Sequence, residues 1–200
     1  MKHKTLSRSN IKHQTTLIIE HCEPELSTWL LLEYQHCVKI WEKTIVFTRV
    51  HDKKSEKKLT TLGIVEPRTA NEMFAGKKCI ILDPLAKKPL TTRDFEKLDG
   101  IIIGGILGYK KPRGRTKELI TKHSSFESRH LGKIQLTIDS AVFVAKAIML
   151  GMKLSDIEIT TEVEIVHNEI HSTILPFGYP ILNNTVIFTP GLIEYLQKTM

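Results

Sequence analysis

Residues 101–116 read IIIGGILGYKKPRGRT, an apolar run that stops at paired glycines and passes, after one further glycine, into a cluster of lysines and arginines. A short, unbroken apolar run closed by glycine predicts a strand buried on both faces, which is the condition of a strand inside a parallel sheet. Neighbouring segments repeat the theme. TLIIEH (16–21), TIVFTRV (44–50) and KKCIILDP (77–84) are further runs rich in branched residues, each followed by polar or turn-forming residues. Between the first two lies ELSTWLLLEYQHCVKIW (25–41), with Leu26, Trp29, Leu30, Glu33 and Cys37 at helical spacing. Strand, helix, strand in that order predicts a parallel pair with a covering helix.

Further along, HDKKSEKK (51–58) reads as a loop or helix start, and TTRDFEKLD (91–99) has the Thr-x-x-Asp/Glu pattern of a short helix start. RTKELITKHSSF (115–126) is helical, HLGKIQLTIDSAVFVAKAIMLGM (130–152) is a loop entering a long apolar helix, and DIEITTEVEIVHNEIHSTI (156–174) alternates as strands do. The expected fold is α/β, a mainly parallel sheet with helices on both faces.

The chain has 200 residues, 41% of them hydrophobic and 26% charged, enough for one ordinary core. We expect a basic, disordered tail over residues 1–14 and a single domain over 15–200. No apolar run approaches the roughly 20 residues of a membrane span, and MKHKTLSRSNIKHQ lacks the apolar centre of a signal peptide. A soluble, cytoplasmic protein with no membrane partner is expected. Cys22, Cys37 and Cys79 are far apart and form no CxxC pair, so they are expected to be reduced and buried.

The net charge of +7 is unevenly spread. Lys2, Lys4, Arg8 and Lys12 give the first 14 residues +4, and residues 109–122 carry +5. Residues 151–200 reverse the sign to −4 through Asp156, Glu158, Glu162, Glu164, Glu169 and Glu194.

Open α/β sheets collect ligands at the carboxyl ends of their strands, where glycine lets other groups approach the backbone. GGILG stands at such an end, although a tight turn without a ligand accounts for it equally well. It lacks both the GxGxxG spacing and the Walker Lys-Ser/Thr, which disfavours a dinucleotide or triphosphate. In RHLGKIQLTIDSA (129–141) a Leu131–Gly132 turn leads into a helix at Asp139 or Ser140, and Asp139 reads as an N-cap before it reads as a catalyst. Asp83 in CIILDP reads as a strand-ending residue. His167 and His171 are four apart in an alternating pattern without a third ligand, so no metal is expected.

Taken in order, ILDP, GGILGxxxPRGRTKEL and RxLGKxQxTxDSA resemble the SPOUT-class methyltransferase family, which includes a yeast enzyme that methylates an arginine of a ribosomal protein. The resemblance runs from IIEHCEPELSTWLLLEY to LPFGYP and PGLIEYL, about residues 16–198. It implies a C-terminal trefoil knot, one of the rare exceptions to general topology rules. It also implies a cleft for S-adenosylmethionine (SAM) built by Leu82, Pro84, Gly104, Gly105, Leu107, Gly108, Leu131, Gly132, Gln135, Leu136 and Thr137. Gly104, Gly105 and Gly108 would give the cofactor backbone room. Glu23, Lys110, Lys111 and Arg113 would bind substrate at the mouth. The chain departs from the family pattern at Tyr109, Leu136, Ile138 and Gly178.

Methyl transfer from a sulfonium carries its own activated leaving group, so the protein mainly has to align the reactants. A guanidinium acceptor also needs a carboxylate to orient it and help remove a proton. Glu20, at the end of the first strand, is the first choice; Asp139 and Arg115 complete the expected catalytic group. The partner is expected to be a basic ribosomal protein, with structured RNA and a non-catalytic binding module as alternatives, and the chain a monomer or homodimer.

Overall fold

The structure is a computed structural model and describes residues 15–109, 113–161, 163–166 and 171–199. The expected basic tail, Lys110 and Lys111, and His167 lie outside the described residues. Eleven described strands and six α-helices follow one another as β1 Thr16–His21, α1 Thr28–Trp41, β2 Ile45–Thr48, α2 Lys53–Leu59, β3 Ile64–Val65, α3 Ala70–Met73, β4 Cys79–Leu82, β5 Gly100–Gly105, α4 Arg115–Leu119, β6 Glu127–Arg129, α5 Ile138–Met149, β7 Ile159–Thr160, β8 Val163–Val166, β9 Ser172–Leu175, β10 Tyr179–Leu182, β11 Thr185–Val186 and α6 Leu192–Thr199.

The first six strands form one sheet in the order β3-β2-β1-β5-β4-β6, every pairing parallel. Why the apolar runs are unbroken is visible in the packing. Leu17, Ile19, Ile101 and Ile103 point to one face, among Leu30, Tyr34, Cys37 and Trp41 of α1 and Val142, Ala145 and Ile148 of α5. Ile18, Ile81 and Ile102 point to the other, among Ala70 of α3 and Ile120 after α4. With side chains alternating and both faces covered, a polar residue inside these strands would be buried without water.

α1 starts where Ser27 Oγ accepts the Leu30 N–H at 3.1 Å, an N-cap that satisfies one of the open donors of the first turn. The expected short helix at 91–99 is a 3₁₀ turn, Thr92–Lys97, whose start carries the reciprocal Thr91–Asp94 bonds of a capping box. Three details differ from the sequence expectations. The stretch 115–126 divides into α4 and a 3₁₀ turn, Thr121–His123, before β6. β6 itself, Glu-Ser-Arg, has no apolar signal because it is an edge strand paired on one side only. α5 begins at Ile138, and its N-cap is Thr137, whose Oγ1 accepts from Ser140 N, so Asp139 stands inside the first turn and not at the cap.

The chain after α5 adds a hairpin (β8–β9) and a small antiparallel sheet in the order β11-β10-β7. Ile165, Leu175, Phe177, Tyr179, Leu192 and Leu196 form a third cluster that packs on Trp29 and Leu32 of α1. Cys37 and Cys79 are buried and Cys22 partly so, all three free. Burial pushes the Cys22 and Cys79 thiols up to about 12, which keeps them protonated. Among the described residues no helix is long and apolar enough to cross a membrane.

Candidate functional site

Three loops leave the carboxyl ends of β4, β5 and β6 side by side, because β4 lies between β5 and β6 in the sheet. They enclose a cavity of about 320 Å³. Its wall takes Leu82, Pro84, Gly104, Leu107, Gly108, Leu131, Gly132, Gln135, Leu136 and Thr137 from the expected cofactor set, Arg113 from the expected substrate-binding mouth and Arg115 from the expected catalytic group. Asp83, Leu85, Ile103, Ile106, Tyr109 and Ile134 also line it. Asp83 is a turn residue as expected: Oδ1 accepts from Leu85 N at 2.8 Å, and Oδ2 from Thr121 Oγ1 at 2.7 Å.

Four expected site residues do not reach the wall. Glu20 lies two residues after Ile18 and shares its face of the strand, so its carboxylate emerges on the α3 side, where Oε2 accepts from Thr48 Oγ1 at 2.7 Å and from Ala70 N at 2.6 Å. It anchors α3 to the sheet. Gly105 turns toward α1: a Cβ there would lie 2.0 Å from Tyr34 Oη and 3.1 Å from Glu20 O. Its missing side chain makes room for Tyr34. Tyr34 Oη in turn lies 3.0 Å from His21 Nδ1, and burial lowers the His21 pKa.

Asp139 is the third. Its Oδ1 takes Thr137 Oγ1 at 2.7 Å and Ser140 N at 2.9 Å, while Oδ2 takes His36 Nδ1 at 2.7 Å and Thr189 Oγ1 at 2.6 Å. Four donors use up the acceptor directions of one carboxylate. Asp139 is therefore a clasp joining α1, the start of α5 and the segment before α6. Glu23, the fourth, sits behind the β5 loop, where Oε1 accepts from Leu107 N at 2.8 Å and from Arg115 Nη1 at 2.7 Å. Arg115 also donates to Leu107 O at 3.3 Å, so carboxylate and guanidinium together fix the loop that forms one wall.

Gly108 is a close-approach position. A Cβ on it would meet Gln135 Nε2 at 2.3 Å and Phe177 Cε1 at 2.5 Å, so the bare backbone is gripped between the β6 loop and the C-terminal cluster. Gly178 is held in the same manner, its N–H donating to Gln135 O at 2.8 Å and its Cα facing Ile134 and Leu136. Gly132, at φ +102°, turns the β6 loop in a conformation that side-chain residues rarely adopt.

Glu33, next to Asp139, is fully enclosed and accepts from Trp29 Nε1 at 2.6 Å and Ile138 N at 3.0 Å. Burial, and then the Asp139 carboxylate, push its pKa up to about 8 from an ordinary 4.5. The folded protein thus holds this proton where the unfolded chain has released it, and stability falls as pH rises from about 4.5 to about 8. Denaturant midpoints measured across that range should drop for the native protein. The Glu33→Gln profile should lose that part of the slope, whatever its absolute level; parallel profiles would contradict the assignment.

Among the described residues, no three His, Cys, Asp or Glu side chains are grouped to hold a metal ion. An apolar cleft edged by strand-end backbone, on the carboxyl side of a parallel sheet, is a small-molecule site of the α/β kind. Its three loops are the ones whose motifs resemble SPOUT-class methyltransferases. Residues 16–200 match the model of the protein arginine N-methyltransferase SFM1-like family, and the chain belongs to that family. Protein arginine N-methyltransferase SFM1 of Saccharomyces cerevisiae is 30% identical over 200 residues, which span 90% of this chain and 93% of the yeast protein. The crystal structure of the yeast enzyme complexed with SAH matches at a TM-score of 0.81 and 28% identity, over 90% of this chain and 94% of that one. Its SAM complex matches at 0.81 and 28%, over 96% and 94%. The dual-specific Trm10 from Thermococcus kodakaraensis shares the fold at a TM-score of 0.57 and 16% identity, over 72% of this chain and 96% of that one.

Proposed function

We propose that the chain binds SAM in this cleft and methylates the guanidinium of an arginine in a ribosomal protein. The observation that carries the reading is the cleft itself, assembled by three strand-end loops in a chain that matches the arginine methyltransferase family from residue 16 to residue 200. The donor set fits. Leu82, Ile103, Leu131 and Ile138 offer an apolar floor for a flat base, and the backbone of the three loops offers donors and acceptors for polar edges. When bound, SAM supplies a methyl group on an activated sulfonium.

The residues of the chain then have alignment and proton handling to do. Glu23 holds the β5 loop through Leu107 N and orients Arg115 through the same oxygen, Oε1. Glu23 stands behind the wall and acts on an incoming guanidinium only through the loop it fixes, whose shape helps set which nitrogen faces the methyl donor. Exposed Asp156, Glu158, Glu164 and Glu194 give the C-terminal quarter a negative surface for a basic polypeptide. The reading includes a trefoil knot in which the segment after β6 passes through the loop after β5; the β5-β4-β6 order and the shared cavity wall support it. It also places the protein in the cytoplasm with its substrate.

Calorimetric titration with SAM and with SAH, at ligand concentrations up to a few hundred micromolar, tests the cofactor half of the proposal; this range reveals a site of ordinary affinity. A one-site isotherm for both is expected. The absence of binding heat for both, with the protein folded, would contradict it.

A further inference from the structure

At the mouth of the cleft the protein already holds a guanidinium on an aromatic face. The Arg113 guanidinium carbon lies 4.1 Å from the centre of the Tyr109 ring, and that of Arg115 lies 5.7 Å away. The two arginines are not equivalent. Arg115 is tied to Glu23 and to Leu107 O, whereas Arg113 is exposed and has no hydrogen-bond acceptor among the described residues. The ring is the one partner that the described residues give it.

The ring itself is firmly mounted. Gln135 Nε2 donates to Tyr109 O at 3.3 Å, and the backbone of Gly108 just before it is gripped by Gln135 and Phe177. Yet the side chain is 46% exposed and lines the cavity. A large ring held out at the opening of an apolar cleft, without burial to explain it, is a recognition surface more than a core residue.

We propose that the Tyr109 ring is the platform on which the substrate's arginine side chain stacks, and that Arg113 occupies it as an internal stand-in until substrate arrives. The inference rests on the arginine-methyltransferase reading above and names the residue that selects the acceptor. Stacking suits the chemistry. It covers one face of the planar guanidinium and leaves the edge free, where the N–H groups lie and where the in-plane lone pair appears once a proton has left. That edge can point into the cleft while the face stays on the ring. An exposed cation–π contact is weak, so a substrate arginine with additional contacts along its polypeptide can displace Arg113.

The test uses full-length enzyme, tritiated SAM and ribosomal protein extract to obtain the labelled arginine peptide, which is then synthesised for steady-state kinetics. Tyr109→Ala should raise KM for that peptide about 3- to 30-fold, the range of one cation–π contact, with the loss falling on KM more than on kcat. Tyr109→Phe, which keeps the ring, should restore most of it. Arg113→Ala should lower KM about 2- to 10-fold, because a competitor has been removed. Calorimetry with SAH and a thermal melt check that each variant is folded and loaded. The proposal is overturned if Tyr109→Ala leaves KM within twofold, if it weakens SAH binding in parallel, or if Arg113→Ala raises KM as a direct substrate contact would. A wild-type enzyme that labels no arginine overturns the underlying reading and this one with it; arginine labelling with an indifferent Tyr109 overturns this one alone.

Discussion

Glu23→Ala is expected to lower kcat/KM for methyl transfer by about 10- to 100-fold, the range for losing charge-assisted hydrogen bonds at a partly enclosed site. One carboxylate oxygen holds two elements of the cleft, the Leu107 N–H at 2.8 Å and Arg115 Nη1 at 2.7 Å. Removing it leaves a backbone donor without a partner behind the wall and a guanidinium free to swing into the mouth. The side chains are 15% and 25% exposed, so water compensates part of the loss, and the change should reach the geometry of the loop more than global stability. Glu23→Gln should fall between the two, since an amide oxygen can still accept from Leu107 while the charge that fixes Arg115 is gone. Steady-state kinetics with SAH affinity and Tm measured alongside decide the matter; full activity in Glu23→Ala would show that the loop needs no such support.

Gly105→Ala is expected to lower Tm by roughly 5–10 °C, from an overpacking cost of about 1–3 kcal/mol or somewhat more in a domain of this size. The added Cβ would sit 2.0 Å from Tyr34 Oη and 3.1 Å from the backbone oxygen of Glu20, and neither strand nor helix can retreat easily in a core of this density. The cause is specific enough to be rescued. Pairing Gly105→Ala with Tyr34→Phe removes the colliding oxygen and should recover much of the loss, although the contact with His21 Nδ1 at 3.0 Å goes with it. A purely ligand-related glycine would behave otherwise: melting would be unchanged and cofactor affinity lost.

That contrast marks how far the sequence could be read. The unbroken apolar runs in β1, β4 and β5 announced a parallel sheet because each residue is buried on one face or the other, and the strand-end positions of the three loops followed. β6 was silent because an edge strand paired on one side can be polar, and β3 because two residues carry no period. Strand ends marked the loops that carry Leu82, Gly108, Leu131 and Gln135, the family resemblance named the residues within them, and all four line the cavity. Glu20 was not, since being at the end of a strand leaves open which face a side chain takes; the neighbour Ile18, on the face away from α1 and α5, was the available signal. The positions of Gly105 and Asp139 off the cavity wall were hidden for a different reason. Their partners, Tyr34 and the pair His36 and Thr189, are distant in sequence, and such contacts leave no local pattern. The same holds for the carboxylate of Glu23, which meets Arg115 from 92 positions away.

The most direct test of the central claim is the chemical identity of the methylated acceptor. Purified enzyme is incubated with tritiated SAM and intact ribosomes, the products are divided between nuclease and protease, and the protein fraction is hydrolysed to amino acids. Label that survives nuclease, is released by protease and co-migrates with methylarginine is the predicted result. Label that is lost to nuclease and absent from methylarginine would contradict the account and assign the cleft to an RNA substrate.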